Sequence, residues 1–282
     1  DEYLTKPIAP EELLARIKAL LGRFRQVRRS LPKQPGKVLG FIGAKGGVGT
    51  TTVALNIASA LVMQQKRVVA AEIRSSYGTF SAQMRLDKPK GLVNLLEHDP
   101  GKTNEHLVSL HLAVLPSGLK LLVGPQSVAE YRGVEPQQVE TIIQIIALMV
   151  DYAILDLPCY PSDANQAAIR CCDLVALVVE SEPTSLASGT VAVDLLRSWG
   201  VYGDRLGIIV VNRTPFVIPK ILDQFKTALG HEIIGVIPAA TDTLFSSQLA
   251  GLPIILYQPS SNVTKAFVEI TKRISATTGW IR

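Results

Sequence analysis

Cysteine is scarce in this sequence: three residues in 282, at Cys159, Cys171 and Cys172. An odd number, two of them adjacent, makes no disulfide framework and no tetrahedral zinc site. The composition predicts a reducing compartment, a cytoplasm, with the thiols packing as small apolar groups. Long hydrophobic runs are missing too, since none reaches the ~18–20 residues a membrane-spanning helix needs. No secretory leader opens the chain, and it starts at Asp1 rather than Met, so it reads as part of a longer protein. Charged residues are only 19% of the total and the net charge is +5, which allows nucleic acid or an acidic membrane as partner without demanding either. Apolar residues make up 47%, enough for a sizeable core, and this excludes a disordered chain.

The first stretch of pattern is a helix expected over residues 10–24. Pro10 suits its first turn, Glu11 and Glu12 favour its positive end, and Leu13, Ile17, Leu20 and Phe24 share one face. Arg23, Arg25, Arg28, Arg29, Lys33 and Lys37, broken by Pro32 and Pro35, then form a basic stretch whose core, residues 28–36, reads as a solvated linker. From residue 37 onward strands and helices alternate. Strands are expected at Lys37–Ile42, Arg67–Ile73, Leu119–Val123, Tyr152–Leu157, Leu174–Val179, Leu206–Val211 and Glu232–Ile237. Helices are expected at Thr51–Gln64, Gly91–Glu97, Pro136–Val150, Pro183–Trp199, Ile218–Leu229 and Val263–Ser275. Strands apolar along their whole length belong where helices cover both faces of a sheet. The pattern predicts an α/β fold: a doubly wound, mostly parallel sheet of seven or eight strands.

Between the first strand and its helix lies Gly43-Ala44-Lys45-Gly46-Gly47-Val48-Gly49-Thr50-Thr51-Thr52. Glycines allow the backbone to curl so that several N–H groups face one anion, and the helix start adds its dipole. A phosphate is the ligand this strand–loop–helix context predicts, with Ala44 to Thr52 forming the cradle. The segment resembles the deviant Walker A motif of the ParA/MinD family of P-loop ATPases, and the resemblance covers about residues 37–280. It implies ATP and Mg²⁺ as cofactors and an ATP-dependent homodimer. Lys45 matches the family's signature lysine, which reaches the partner's phosphates, and Thr51 matches the hydroxyl that ligates Mg²⁺. Tyr152-Ala153-Ile154-Leu155-Asp156 resembles a Walker B strand, with Asp156 holding Mg²⁺ through water. Asn212, after the strand Leu206–Val211, matches the side-chain amide that reads adenine, or else is a turn residue.

Two positions depart from the family pattern. Thr50 stands where the usual P-loop lysine would be, and a hydroxyl brings no charge to the β- and γ-phosphates. Where relatives carry two aspartates at the end of the second strand, this chain has Glu72 and Arg74. An arginine cannot accept a proton from an attacking water. Hydrolysis is therefore expected to be impaired.

At the front, Tyr3-Leu4-Thr5-Lys6-Pro7 and the helix after Pro10 resemble the last strand and helix of a response-regulator receiver, incomplete over residues 1–27. A receiver joined to a ParA/MinD-like domain over 37–282 resembles the TadZ/CpaE proteins of Tad-type pilus assembly. That resemblance implies a positioning role beside pilus or secretion machinery, at a cell pole or an inner-membrane complex. Two alternatives stay open. One is an active ParA-like partition ATPase binding chromosomal DNA, for which the linker basics are the candidate surface. The other is a MinD-like membrane-associated ATPase, for which the tail Ile274–Arg282 lacks a basic amphipathic face. Cys159 and Cys171 do not match the spacing of a dimer-bridging iron–sulfur reductase.

Overall fold

The computed structural model describes residues 34–214 and 219–276. The helix expected over 10–24, the receiver-like segment 1–27, residues 28–33 of the linker and the last part of the tail, 277–282, lie outside the described residues.

Among the described residues, runs of apolar side chains make one eight-stranded sheet. Its strands are β1 (Lys37–Gly43), β2 (Val68–Glu72), β3 (Ala113–Val114), β4 (Lys120–Leu122), β5 (Tyr152–Leu157), β6 (Leu174–Glu180), β7 (Leu206–Val211) and β8 (Ile233–Ile237). Their spatial order is β3-β4-β2-β5-β1-β6-β7-β8. Every neighbouring pair is parallel except β3 against β4. β1 is central, with the later strands β5 and β6 on its two sides, and such a reversal opens a crevice at the carboxyl edge of a doubly wound sheet.

The pleat sends alternate side chains of β1 into two cores. Val38 and Ile42 join one cluster with Ile143, Ile146, Ala168, Val193 and Phe225, from the helices Pro136–Met149, Asp163–Cys171, Pro183–Ser198 and Pro219–Leu229. Leu39 and Phe41 join the other, with Ile57, Leu61, Phe267 and Ile270 from the helices Thr50–Met63 and Asn262–Ala276. Both faces are thus covered by helices, as the wholly apolar strands require. Helix Pro136–Met149 shows the local logic: proline opens it, and Val139, Ile142, Ile143 and Ile146 return at spacings of three and four to one buried face. Burying each contributes about 2 kcal/mol, and Ile143→Ala would cost about 2–5 kcal/mol.

Gly40, at the middle of β1, is a contact position: a Cβ there would lie 2.7 Å from the Cys172 sulfur. Cys172 and Cys171 are buried and pack as expected, whereas Cys159 is exposed on the loop after β5, where it has no core to join.

Candidate functional site

β1 delivers the chain to the carboxyl edge of the sheet, where Ala44 N–H is held to the Val178 carbonyl of β6 at 2.9 Å. Gly47 and Gly49 then take φ values of +82° and +94°, which side chains of L residues rarely adopt. Gly49 is the residue before helix Thr50–Met63, and no side chain caps that helix start. Its first N–H groups are therefore left for an anion. A Cβ on Gly46, Gly47 or Gly49 would meet nothing within 4 Å, so the loop lies open on that side. Gly43 is different: a Cβ there would lie 2.6 Å from Thr50 Oγ1 and 2.8 Å from the Lys45 carbonyl. The loop curls back over Gly43, while Val48 is buried beneath it as an anchor. This is an open cradle built from consecutive residues.

Below the cradle, Thr51 Oγ1 donates to Asp156 Oδ2 at 2.8 Å. β5 is the immediate neighbour of β1, with Phe41 opposite Asp156, and that register brings the carboxylate under the helix start. Asp156 is wholly buried, and burial pushes its carboxyl up to about 7, against the opposing pull of the Arg74 guanidinium. Arg74 Nη2 lies 2.5 Å from the same Oδ2. Glu72 pairs with Asp156 across β2 and β5, yet its oxygens are turned elsewhere. Oε1 accepts from Thr79 N–H at 2.6 Å and Phe80 N–H at 3.1 Å, and Oε2 accepts from Gly124 N–H at 2.9 Å.

These contacts bear on the expected Mg²⁺. Thr51 and Asp156 do meet, but Oδ2 already accepts two hydrogen bonds and carries a guanidinium beside it. Mg²⁺ demands oxygen ligands in near-octahedral array, and an arginine offers no acceptor. Asp156 Oδ1, however, is buried with no hydrogen-bond partner among the described residues, so this oxygen, through water, and the Thr51 hydroxyl are the groups that would hold Mg²⁺.

Lys45, expected to reach a partner's phosphates, is held within its own chain: Nζ lies 3.0 Å from Glu182 Oε1 and 3.9 Å from Glu180 Oε2. Hydrogen bonds from the Thr184 hydroxyl and from Lys45 hold the Glu182 carboxyl down at about 2. On the other flank, a cavity of about 380 Å³ opens between Gly47–Thr52 and the ends of β7 and β8. Its walls include Val211, Pro238, Leu244 and Phe267, with Asn212 and Arg213 at the polar side. Such an apolar slot beside a phosphate cradle suits a planar base. Asn212 is buried, and its Oδ1 accepts from Ser181 Oγ at 2.9 Å, Thr214 N–H at 3.1 Å and Thr214 Oγ1 at 2.9 Å. That network closes the turn and places Asn212 at the cavity wall.

Arg213 is a site residue that the sequence reading passed over. Its Nη2 donates to the Gly47 carbonyl, and its Nε lies 3.4 Å from Glu180 Oε1. The available signal was its position directly after Asn212. Phe245 and Gln248 of helix Thr241–Leu249 also line the cavity, and no motif marks them.

A glycine cradle at the end of a central parallel strand, with a helix hydroxyl on a carboxylate from the next strand, defines a P-loop nucleotide-binding protein. The model of a family described as AAA domain matches residues 36–194, more than half of the chain, and the chain belongs to that family. Among the proteins it is similar to are ParA- and MinD-type ATPases, whose fold it shares. The septum site-determining protein MinD of Thermotoga maritima is 23% identical over 249 residues, covering 85% of this chain and 88% of its own. The crystal structure of a ParA family ATPase from Chlorobium tepidum superposes with a TM-score of 0.77 at 23% identity, over 84% of this chain and 98% of that one. MinD of Pyrococcus horikoshii, solved complexed with Mg-ADP, has a TM-score of 0.72 at 19% identity, over 86% and 98% of the two chains.

Proposed function

We propose that this chain is a nucleotide-gated positioning protein, one that binds ATP, pairs with a second copy of itself and hydrolyses the nucleotide slowly or not at all. The observation that carries this reading is the Arg74 guanidinium on Asp156. Cleavage of a phosphoanhydride by water needs an acceptor that orients the water. Arg74 offers none, Glu72 is engaged by backbone N–H groups, and Asp156 is buried with its Oδ2 shared by Thr51 and Arg74. Thr50 also brings no charge to the phosphates, and loss of one such donor typically costs about 10²–10³ in rate. Binding draws on other features: the uncapped helix start, the open glycine cradle and the apolar cavity beside it.

The bound nucleotide acts as a switch through Lys45. In the single chain its ammonium is neutralised by Glu182. A partner's phosphates, more highly charged than one carboxylate, draw it across the interface and leave the start of helix Pro183–Ser198 to rearrange. The finer reading is a TadZ/CpaE-like role in placing a Tad-type pilus machine at a pole of a bacterial cell, supported by the receiver-like front segment and by Thr50 and Arg74. Among the described residues no helix is long and apolar enough to cross a membrane.

The test is single-turnover hydrolysis of radiolabelled ATP with protein in excess, beside filter retention of the nucleotide. ATP retained and intact over hours supports the reading. Cleavage at the rate of intact relatives overturns it and makes an active partition-type ATPase the better reading.

A further inference from the structure

The carbonyl and the N–H of one peptide point in opposite directions, because the unit is planar and trans. In the glycine loop Gly47 and Gly49 take φ values of +82° and +94°, while Val48 between them stays outside the positive-φ region. Alternation of this kind turns successive N–H groups toward one concave side, where an anion is held, and the carbonyls then diverge outward. The glycines themselves hold that arrangement weakly. A Cβ on Gly46, Gly47 or Gly49 would meet nothing within 4 Å, and glycine passes readily between φ regions. A contact from outside the loop is what can keep the Gly47–Val48 peptide in one orientation.

Arg213 makes such a contact, since its Nη2 donates to the Gly47 carbonyl. The backbone on both sides of this arginine is tied down at the end of β7. Asn212 N–H donates to the Ile237 carbonyl at 2.8 Å, and Thr214 N–H donates to Asn212 Oδ1 at 3.1 Å. The guanidinium is braced in turn by Glu180 at the end of β6, whose Oε1 lies 3.4 Å from Arg213 Nε. Glu180 is itself anchored, its N–H donating to Ser185 Oγ at 2.8 Å. One side chain thus links the glycine loop to the carboxyl ends of two strands, through a charge-assisted hydrogen bond of the stronger kind.

We propose that Arg213 is a positioning residue for phosphate binding: by holding the Gly47 carbonyl outward, it keeps the Val48 N–H turned to the opposite side, into the concave face that receives the phosphates. This rests on the nucleotide reading given above. Arg213 acts through the loop and not by touching the phosphates, and it orders the cradle before any ligand arrives.

The experiment compares the wild-type full chain with Arg213→Ala and Arg213→Lys. Calorimetric titration with Mg·ATP measures affinity, and hydrogen–deuterium exchange over residues 43–52 in the nucleotide-free protein measures the order of the loop. The Arg213 side chain is half exposed, so the urea midpoints of the three proteins should coincide. Arg213→Ala should weaken ATP binding by at least about tenfold and raise loop exchange by at least about threefold. Arg213→Lys keeps a charged donor but loses the fork that Glu180 braces, and should recover part of both effects. Arg213→Gln replaces the alanine variant, with the same expectations, if that variant fails to fold. ATP affinity within about threefold of the wild type in Arg213→Ala overturns the proposal and leaves the nucleotide reading intact. Weakened ATP binding with unchanged loop exchange also overturns it, because the arginine would then act on the ligand directly. Absence of ATP binding by the wild type overturns both.

Discussion

Glu72 and Gly124 lie 52 residues apart and are joined by a buried hydrogen bond, Gly124 N–H to Glu72 Oε2 at 2.9 Å. With Thr79 and Phe80 on Oε1, one carboxyl at the end of β2 pins the loops that follow β2 and β4. Both neighbouring glycines are there for space: a Cβ on Gly78 would lie 2.5 Å from Glu72 Oε2 and 2.8 Å from the Gly124 Cα. The resemblance to the ParA/MinD family matches Glu72 to the first of two aspartates. Its role here is to hold the backbone that flanks Arg74. Glu72→Ala strands three N–H groups, two of them buried, and should cost about 3 kcal/mol or more. Urea unfolding measures this, and a loss below about 1 kcal/mol would show that these hydrogen bonds contribute little.

Two glycines of the same loop should respond in opposite ways. Gly43→Ala sets a methyl group 2.8 Å from a backbone carbonyl, so the loop must shift. We expect a loss of about 1–3 kcal/mol, as for other overpacked sites, together with weakened ATP binding. Gly46→Ala meets open space and should change stability by less than about 0.5 kcal/mol. Equal urea midpoints for the two variants would contradict the close approach at Gly43.

Glu182 has two tasks that one substitution separates. It caps helix Pro183–Ser198, accepting from Ser185 N–H at 2.8 Å, and it holds Lys45 at 3.0 Å. Glu182→Ser keeps a good capping side chain and releases the lysine, so stability should change by less than about 1 kcal/mol. If Lys45 serves a partner copy, the variant should form more dimer than the wild type at the same ATP concentration in analytical ultracentrifugation. Unchanged dimerisation would argue that the ion pair restrains nothing.

Acid stability should report on the far end of the sheet. Arg67 Nη2 lies 2.7 Å from Asp151 Oδ1, tying the entry of β2 to the entry of β5. The Arg67 side-chain hydrogen bonds hold the Asp151 carboxyl below its ordinary 3.8. A lowered folded value gives stability that is fully present above 3.8 and is lost as pH falls through the folded value. The gap in urea midpoint between the wild type and Asp151→Asn should therefore be widest near neutrality and close in acid. A gap that is constant with pH would remove the charge from the explanation.

Much of the fold was legible because its determinants are local. β5 and β7 fall where runs of apolar residues stand, and the edges of most other expected elements shift by one or two residues, since ends are set by capping and fraying. Elements without strong periodicity escaped. The two-residue β3 forms because β4 offers an antiparallel edge. Helices Asp163–Cys171 and Thr241–Leu249 are short and rich in small or polar residues, so their neighbours decide them more than propensity does.

The sequence by itself determined the alternating architecture and the glycine cradle, because a phosphate loop is a single run in which spacing alone sets the geometry. By resemblance it also put Arg74 where the ParA/MinD family carries an acidic residue. What Arg74 does was decided only by the tertiary structure. Asp156 is 82 residues away in the chain, and the two meet because β5 is inserted between β1 and β2 in the sheet. The same holds for Glu72 and its distant N–H groups, and for Lys45 on Glu182. Strand order and the packing of two cores set which side chains share one oxygen, and neither is written in any local stretch of residues.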